Sequence, residues 1–258
     1  MDRIKIVFFD IDGTLLNFGA KGVTEKTRQT LEKLRQEGIL LCVATGRSPV
    51  VVPKFEGLKF DAYVTYNGSY CYDESGVIFS SPIAPDDVQT LMANAAAIGR
   101  PLCVATSQRL AANGWDVDLA DYYALAHLQL KVDADFAEVA RQPVYQVMMG
   151  CRESEHPAIL RDLPNMKIAI SWDRAVDVIP ADGGKGRGIL KVLEHFGLRP
   201  ENALAFGDGN NDIEMLQTVG TGVAMGNASD ALKAVADDVC GHVAEDGIYH
   251  YCLSHGLI

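Results

Sequence analysis

"VFFDIDGTLL", residues 7–16, drives an apolar run straight into two carboxylates, Asp10 and Asp12. The stretch "IKIVFF" (4–9) is short, apolar and rich in β-formers, so it reads as a buried strand. Residues two apart on an extended chain face the same way, which puts Asp10 and Asp12 together. Two close carboxylates repel, and one would normally take up a proton. A divalent cation can stabilise the pair instead. Mg²⁺ suits the position because it takes hard oxygen ligands and keeps waters and a substrate phosphate around it. The plainer reading is a strand-ending turn, with Gly13 supplying the unusual dihedrals.

Working outward, Thr24 can cap a helix running to about residue 37, with Leu31 and Leu34 on its apolar stripe. "ILLCVA" (39–44) and "AYVTY" (62–66) read as further buried strands. Late in the chain the same alternation returns. Helices are expected at 188–197, 212–220 and 229–236, and strands at 203–206 and 221–225. Strands alternating with helices predict a doubly wound, Rossmann-like parallel sheet, an α/β core. The middle differs. A helix within 81–99 precedes strand-like stretches at 101–113, 143–151 and 167–180, with short helices near 119–128, 134–141 and 155–162. This grouping predicts an inserted α+β domain at 82–181, leaving a discontinuous core of 1–81 and 182–258. One insertion needs two crossings, so hinges are expected near Ser81-Pro82 and Asp182-Gly183.

The expected core strands end alike. They run into Asp10, into Thr45-Gly46-Arg47, into Asn67-Gly68, into Gly207-Asp208 and into Gly226-Asn227. In open parallel sheets ligands bind beyond the carboxyl ends of the strands, so five polar ends converge on one rim. Asp208 can join Asp10 and Asp12 around a cation. Asp212 lies near a helix start, where a carboxylate serves equally as a cap or in a metal shell. "GGKGRGIL" (183–190) opens a helix with Lys185. Gly-rich backbone at a helix N-terminus suits an anion, and the lysine can neutralise phosphate or simply be solvated. It is not a P-loop, since the six-residue spacing and the following Ser/Thr are missing.

The bulk numbers narrow the function classes. The 258 residues are 48% hydrophobic, enough to bury a real core, and the formal net charge is −11. An acidic surface repels phosphate backbones, so no nucleic-acid partner is expected. None of the six cysteines forms a C-x-x-C pair, and their spacing shows no metal pattern, so they read as reduced thiols of a cytoplasmic protein. No stretch approaches the ~18 apolar residues of a membrane span. The first residues lead directly into a strand, so no signal peptide is expected.

Taken in order, D-x-D-G-T-L (10–15), A-T-G-R (44–47), N-G (67–68), K-G (185–186) and G-D-G-x-N-D (207–212) resemble the haloacid dehalogenase-like superfamily of phosphohydrolases. The long insertion, "VAMGNA" (223–228) and "EDGI" (245–248) resemble its Cof-type branch with a C2 (IIB) cap. The resemblance spans the whole chain. It implies a Mg²⁺-dependent phosphatase of small phosphate monoesters, sugar phosphates first. Asp10 would attack phosphorus and form an aspartyl-phosphate. Asp12 would protonate the leaving oxygen and then activate water. The metal would be held by the side chains of Asp10 and Asp208 and the main-chain carbonyl of Asp12, with Asp212 in or near its shell. Thr45, the Gly46 backbone, Lys185 and Asn211 would hold the phosphate. Gly184 stands where a small polar residue is commoner, and Gly188 where alanine is frequent. An interior helix glycine costs about 1 kcal/mol relative to alanine, which implies a looser first turn around Lys185.

The implied partner is a small phosphorylated metabolite, and the implied state a monomer or homodimer. A phosphomutase would pass the phosphoryl group to a second hydroxyl at the same aspartate. A dehalogenase would leave the metal and Asp12 without a task. A non-catalytic sensor would have no need of both Asp10 and Asp12. Arg109, Trp115, Tyr122, Tyr123, His127, Gln146, Trp172 and Arg174 are expected on loops of the inserted domain, where aromatic residues serve either packing or stacking on a ligand.

Overall fold

The computed structural model describes residues 4–20 and 22–258; the reading of the first residues falls partly on 1–3, outside that range. Chain contacts divide the protein into two compact units. The first comprises Met1–Thr45, Pro53–Phe79 and Gly184–Ile258, and the second Gly46–Val52 and Ser80–Gly183. Among the described residues, no helix is long and apolar enough to cross a membrane.

Strands β1 (Ile6–Phe9), β2 (Leu40–Ala44), β3 (Ala62–Thr65), β4 (Tyr70–Asp73) and β5 (Gly76–Ser80) open the chain, with helix α1 (Glu25–Gln36) after β1. Next come helix α2 (Pro85–Ala97), strands β6 (Leu102–Thr106) and β7 (Leu110–Ala112), and helices α3 (Val117–Leu125) and α4 (Phe136–Val139). Strand β8 (Val144–Gly150), helix α5 (His156–Ile159) and strands β9 (Met166–Trp172) and β10 (Ala175–Pro180) follow. The chain closes with α6 (Lys185–His195), β11 (Ala203–Gly207), α7 (Ile213–Thr218), β12 (Thr221–Ala224), α8 (Asp230–Lys233), β13 (Asp238–Val239) and α9 (Gly247–Ser254).

In the first unit the strands form one sheet in the order β13-β12-β11-β1-β2-β3-β4-β5. From β13 to β3 every pairing is parallel, and β4 returns antiparallel to β3. Strand β1 is buried along its whole length, as a central strand covered on both faces must be. Phe9 stacks on Phe206 of β11 with ring centroids 5.6 Å apart, one residue before Asp10. Helix α1 begins as its sequence predicts: the Thr27 N–H donates to the Thr24 hydroxyl at 3.1 Å, and Leu31 and Leu34 are buried. The order of connection reverses at β1. From there β2 and β3 run to one side, while β11, β12 and β13 run to the other. Such a reversal opens a crevice at the carboxyl ends of the two strands that flank it.

The second unit holds an antiparallel sheet in the order β7-β6-β8-β10-β9. Leu102, Val104, Val147, Met149, Val176 and Val178 pack one face against Val88, Leu91 and Ala95 of α2 and Phe136 of α4. Across the sheet, Cys103 and Ala112 pack on Leu119 and Tyr123 of α3.

Three local features go beyond the sequence reading. The β4–β5 hairpin turns through an aspartate: Asp73 Oδ1 accepts the N–H groups of Ser75 and Gly76 at 2.7 and 3.1 Å. The strand-like stretch at 101–113 is a hairpin, turned where Thr106 Oγ1 accepts the N–H groups of Gln108 and Arg109. Helix α9 closes the chain, with Tyr251 edge-on to Phe206.

Candidate active site

Three strand ends and one helix start meet in the first unit. Asp10 follows β1 and keeps its N–H on the carbonyl of Phe206 in β11 at 3.0 Å. Thr45 follows β2; its N–H donates to Val64, and its carbonyl accepts from Asn67 at 3.1 Å. Asp208 follows β11. Lys185 is the first residue of α6 and is completely buried, as is Asp212.

The Lys185 ammonium donates to Asp10 Oδ1 at 2.6 Å and to Asp212 Oδ1 at 2.5 Å. The other oxygen of Asp212 accepts the N–H groups of Asp208 and Gly209 at 2.9 and 3.0 Å. Asp212 is therefore the residue that ties Lys185 to the turn after β11. Asp208 Oδ1 accepts the Thr14 hydroxyl at 3.0 Å. Gly13 makes this closeness feasible. Its φ is +90°, and a β-carbon there would lie 2.1 Å from Asp208 Oδ2.

Carboxylate oxygens of Asp10, Asp208 and Asp212 all lie within 4.8 Å of one another. Three carboxylates face one ammonium, an excess of two negative charges in a mostly buried place. Burial pushes the Asp10 carboxyl well above its usual range, with Asp212, Asp208 and Asp12 adding to the effect and Lys185 opposing it. Burial, then Asp212, pushes Asp208 up to about 7. Burial opposes charge on Lys185, yet Asp10 and Asp212 outweigh it and keep the ammonium protonated. Without a counter-ion the cluster favours retaining a proton; a divalent cation matches the same charge excess. The donor set is oxygen only, which suits a hard cation.

Asp12 lies outside this carboxylate cluster and is half-buried in the loop after β1, where it forms a bridge with Leu16. Asn211 donates to Asn67 Oδ1 at 3.0 Å. Gly46 groups with the second unit, where its carbonyl accepts from Gln146 Nε2 at 3.2 Å.

A family model described as haloacid dehalogenase-like hydrolase matches residues 7–252. The chain belongs to that family. Among curated relatives, the pyridoxal phosphate phosphatase YbhA of Escherichia coli (strain K12) is 30% identical over 271 residues, covering 97% of this chain and 98% of the relative. The HMP-PP phosphatase of Shigella flexneri serotype 5b (strain 8401) is 32% identical over 269 residues, covering 98% and 96%. Among solved structures, the haloacid dehalogenase subclass IIB sugar phosphatase BT4131 superposes with a TM-score of 0.91 at 31% identity, covering 98% of this chain and all of that one. This haloacid dehalogenase-like hydrolase is accordingly a phosphatase of the Cof-type, IIB-capped branch. Phosphatases of the family generally need a divalent metal, and the Asp10, Asp208 and Asp212 cluster is a fitting place for one.

The glycines of α6 allow a close approach to neighbouring elements. A β-carbon on Gly188 would lie 2.6 Å from Val64 Cγ1 and 2.9 Å from the Gly68 α-carbon, so the helix lies directly on β3 and the turn that follows it.

Several of the second-unit side chains singled out in the sequence have partners in that unit, whereas Trp115 is exposed. Tyr123 is buried with its hydroxyl on Cys103 Sγ, and Arg109 pairs with Asp133 and Asp135. Trp172 stacks on Tyr122 and lies under the Arg174 guanidinium, 3.9 Å from the ring centroid. Sequence reasoning passed over Asp177, buried in β10 with the Tyr122 hydroxyl on it at 2.9 Å. Its one signal was an acid alternating with valines in "AVDVIP".

Proposed function

We propose that this phosphatase hydrolyses small phosphate monoesters, sugar phosphates foremost, with Mg²⁺ and through an aspartyl-phosphate on Asp10. The observation that carries the reading is the Lys185 ammonium held between Asp10 and Asp212, with Asp208 alongside. Asp10 and Asp208 side chains and the Asp12 carbonyl are the proposed metal ligands. A bound Mg²⁺ supplies charge neutralisation and polarises a phosphoryl oxygen. Asp212 already accepts three protein donors through its two oxygens, so its task is to orient Lys185 and the Asp208 turn.

A carboxylate oxygen of Asp10 attacks phosphorus, and the bond to the ester oxygen breaks. Asp12 gives that oxygen its proton. Asp12 then takes a proton from water, whose oxygen attacks the aspartyl-phosphate and restores the Asp10 carboxylate. Thr45, the Gly46 backbone, Lys185 and Asn211 hold the phosphoryl oxygens, so the work lies in positioning and in meeting developing charge.

The named relatives act on a sugar phosphate, pyridoxal phosphate and HMP-PP, which supports a small phosphorylated metabolite as substrate. The residues inserted between the core segments, 82–181, are the proposed source of substrate selection. All six cysteines are free thiols, which supports a cytoplasmic location.

The test is phosphate release from a panel of sugar, pyridoxal and nucleotide monoesters, with Mg²⁺ and with chelator. Mg²⁺-dependent release that Asp10→Asn abolishes is the expected result. Full-rate release by folded Asp10→Asn would remove Asp10 as the nucleophile. Transfer to a second hydroxyl without free phosphate would make the enzyme a mutase.

A further inference from the structure

Asn227, in the "VAMGNA" stretch, has no role in the proposed reaction. Its amide nonetheless reaches three separate parts of the first unit. Nδ2 donates to the Gly13 carbonyl at 2.7 Å, across 214 residues. The same nitrogen lies 3.5 Å from Asp208 Oδ2. Its oxygen, Oδ1, accepts the Val243 N–H at 2.9 Å. The flanking backbone is fixed as well. The Met225 N–H donates to the Gly207 carbonyl, and the Ser229 N–H to the Asp208 carbonyl at 3.0 Å.

We infer that Asn227 is a positioning residue for the metal site, one amide that sets the separation between the nucleophile loop and Asp208. The inference rests on reading Asp10 and Asp208 as metal ligands. Gly13 follows Asp12 directly, so holding its carbonyl fixes the loop that carries the nucleophile and the acid. Asp208 then has a donor near each oxygen, Thr14 on Oδ1 and Asn227 by Oδ2, and its carboxylate plane is set before any ion arrives. Thr14 and Asn227 face different oxygens of Asp208, the first preceding it in the chain and the second following it. An alanine at 227 would free the Gly13 carbonyl, leave Asp208 with the Thr14 donor and release Val243. Groups that orient a metal ligand in this way matter to affinity about 10–100-fold when removed.

The experiment titrates Mn²⁺ into the protein by electron paramagnetic resonance, at fixed pH and without substrate. It compares wild type, Asn227→Ala and Ser229→Ala. Ser229 caps α8 and bonds Asn210, so its loss loosens the same segment without touching Gly13 or the Asp208 side chain. The expected result is a Mn²⁺ dissociation constant raised about 10-fold or more in Asn227→Ala and changed less than about 2-fold in Ser229→Ala. Asn227→Asp keeps an acceptor for Val243 and replaces the donor. It is expected to melt close to wild type yet lose about 10-fold or more in kcat at saturating metal, with KM little changed. If Asn227→Ala fails to fold, Asn227→Asp decides the matter. Wild-type Mn²⁺ affinity in folded Asn227→Ala, or wild-type kcat in Asn227→Asp, overturns the inference. Failure of the wild type itself to bind Mn²⁺ would instead overturn the metal-site reading on which it rests.

Discussion

Lys185 and Asp212, 27 residues apart in the chain, meet at 2.5 Å where both are completely buried. The ammonium also serves Asp10, so one cation bridges the end of β1 and the turn after β11. Removing it leaves buried carboxylates facing each other. Lys185→Met is expected to lower kcat by about 10²–10³-fold, the loss typical of one well-placed donor to developing charge. In chelator it is also expected to melt below wild type, because breaking a buried pair costs about 3–5 kcal/mol. Added Mg²⁺ should recover part of that loss. A variant that melts like wild type in chelator would show that the ammonium does not hold the carboxylates together.

Asp10 and Asp208, both raised mainly by burial and Asp208 to about 7, set the pH dependence of the metal-free protein together. The folded state keeps a proton that the unfolded chain has already lost above the ordinary aspartate value of 3.8. Stability in chelator is therefore expected to fall as pH rises from about 4 through about 7. A metal ion displaces such protons, so affinity should tighten with pH over the same range. Calorimetric titrations in buffers of different ionisation enthalpy count the protons released. Affinity that stays flat between about pH 5.5 and 8 would refute the assignment of Asp10 and Asp208 as ligands.

Gly188 sits where helix propensity alone favours alanine by about 1 kcal/mol. The site-bearing helix nevertheless lies so close to Val64 and the Gly68 backbone that a methyl has nowhere to go. Gly188→Ala is expected to destabilise the protein by about 1–3 kcal/mol, the usual cost of overpacking. It should also lower kcat, since Lys185 stands one turn away. Urea unfolding in chelator checks the first point. A gain in stability would mean that the turn after β3 gives way easily.

These sites differ in how far the sequence exposes them. Asp10, Thr45 and Asp208 follow buried strands, and period-two and apolar-run reading finds such ends because burial is a local pattern. The doubly wound sheet follows from the same signal. The contacts of Thr14, Asn227 and Asp177 are not legible in the sequence because their partners lie 55 to 214 residues away, and no local period marks a contact of that span. The β4–β5 hairpin was passed over for another reason. Its turn rests on one aspartate side chain, while its strands are short and lie at the sheet edge. The looser first turn expected at Lys185 rests on propensity, which describes an isolated helix, and the packed surface beneath Gly188 leaves no local sign in the sequence.

Asp118 is the charged centre of the second unit. It is nearly buried and lies 3.1 Å from Arg100, 3.1 Å from Arg152 and 3.4 Å from Arg174. Arg100 also joins Asp116 and Glu155, so the network ties α3 to the segment before α5. Asp118→Ala leaves the guanidiniums crowded without their shared acceptor. Removing one partner of a buried pair costs about 3–5 kcal/mol, and the arginines are partly exposed, so a loss near about 3 kcal/mol is expected. Because all of these partners lie in the second unit, Mn²⁺ binding by Asp10 and Asp208 should stay within about 2-fold of wild type. Added salt should narrow the stability gap by screening the arginines from one another. Thermal unfolding and Mn²⁺ titration of the same preparation check both halves. Loss of metal binding at temperatures where the variant remains folded would show that the network acts on the catalytic cluster.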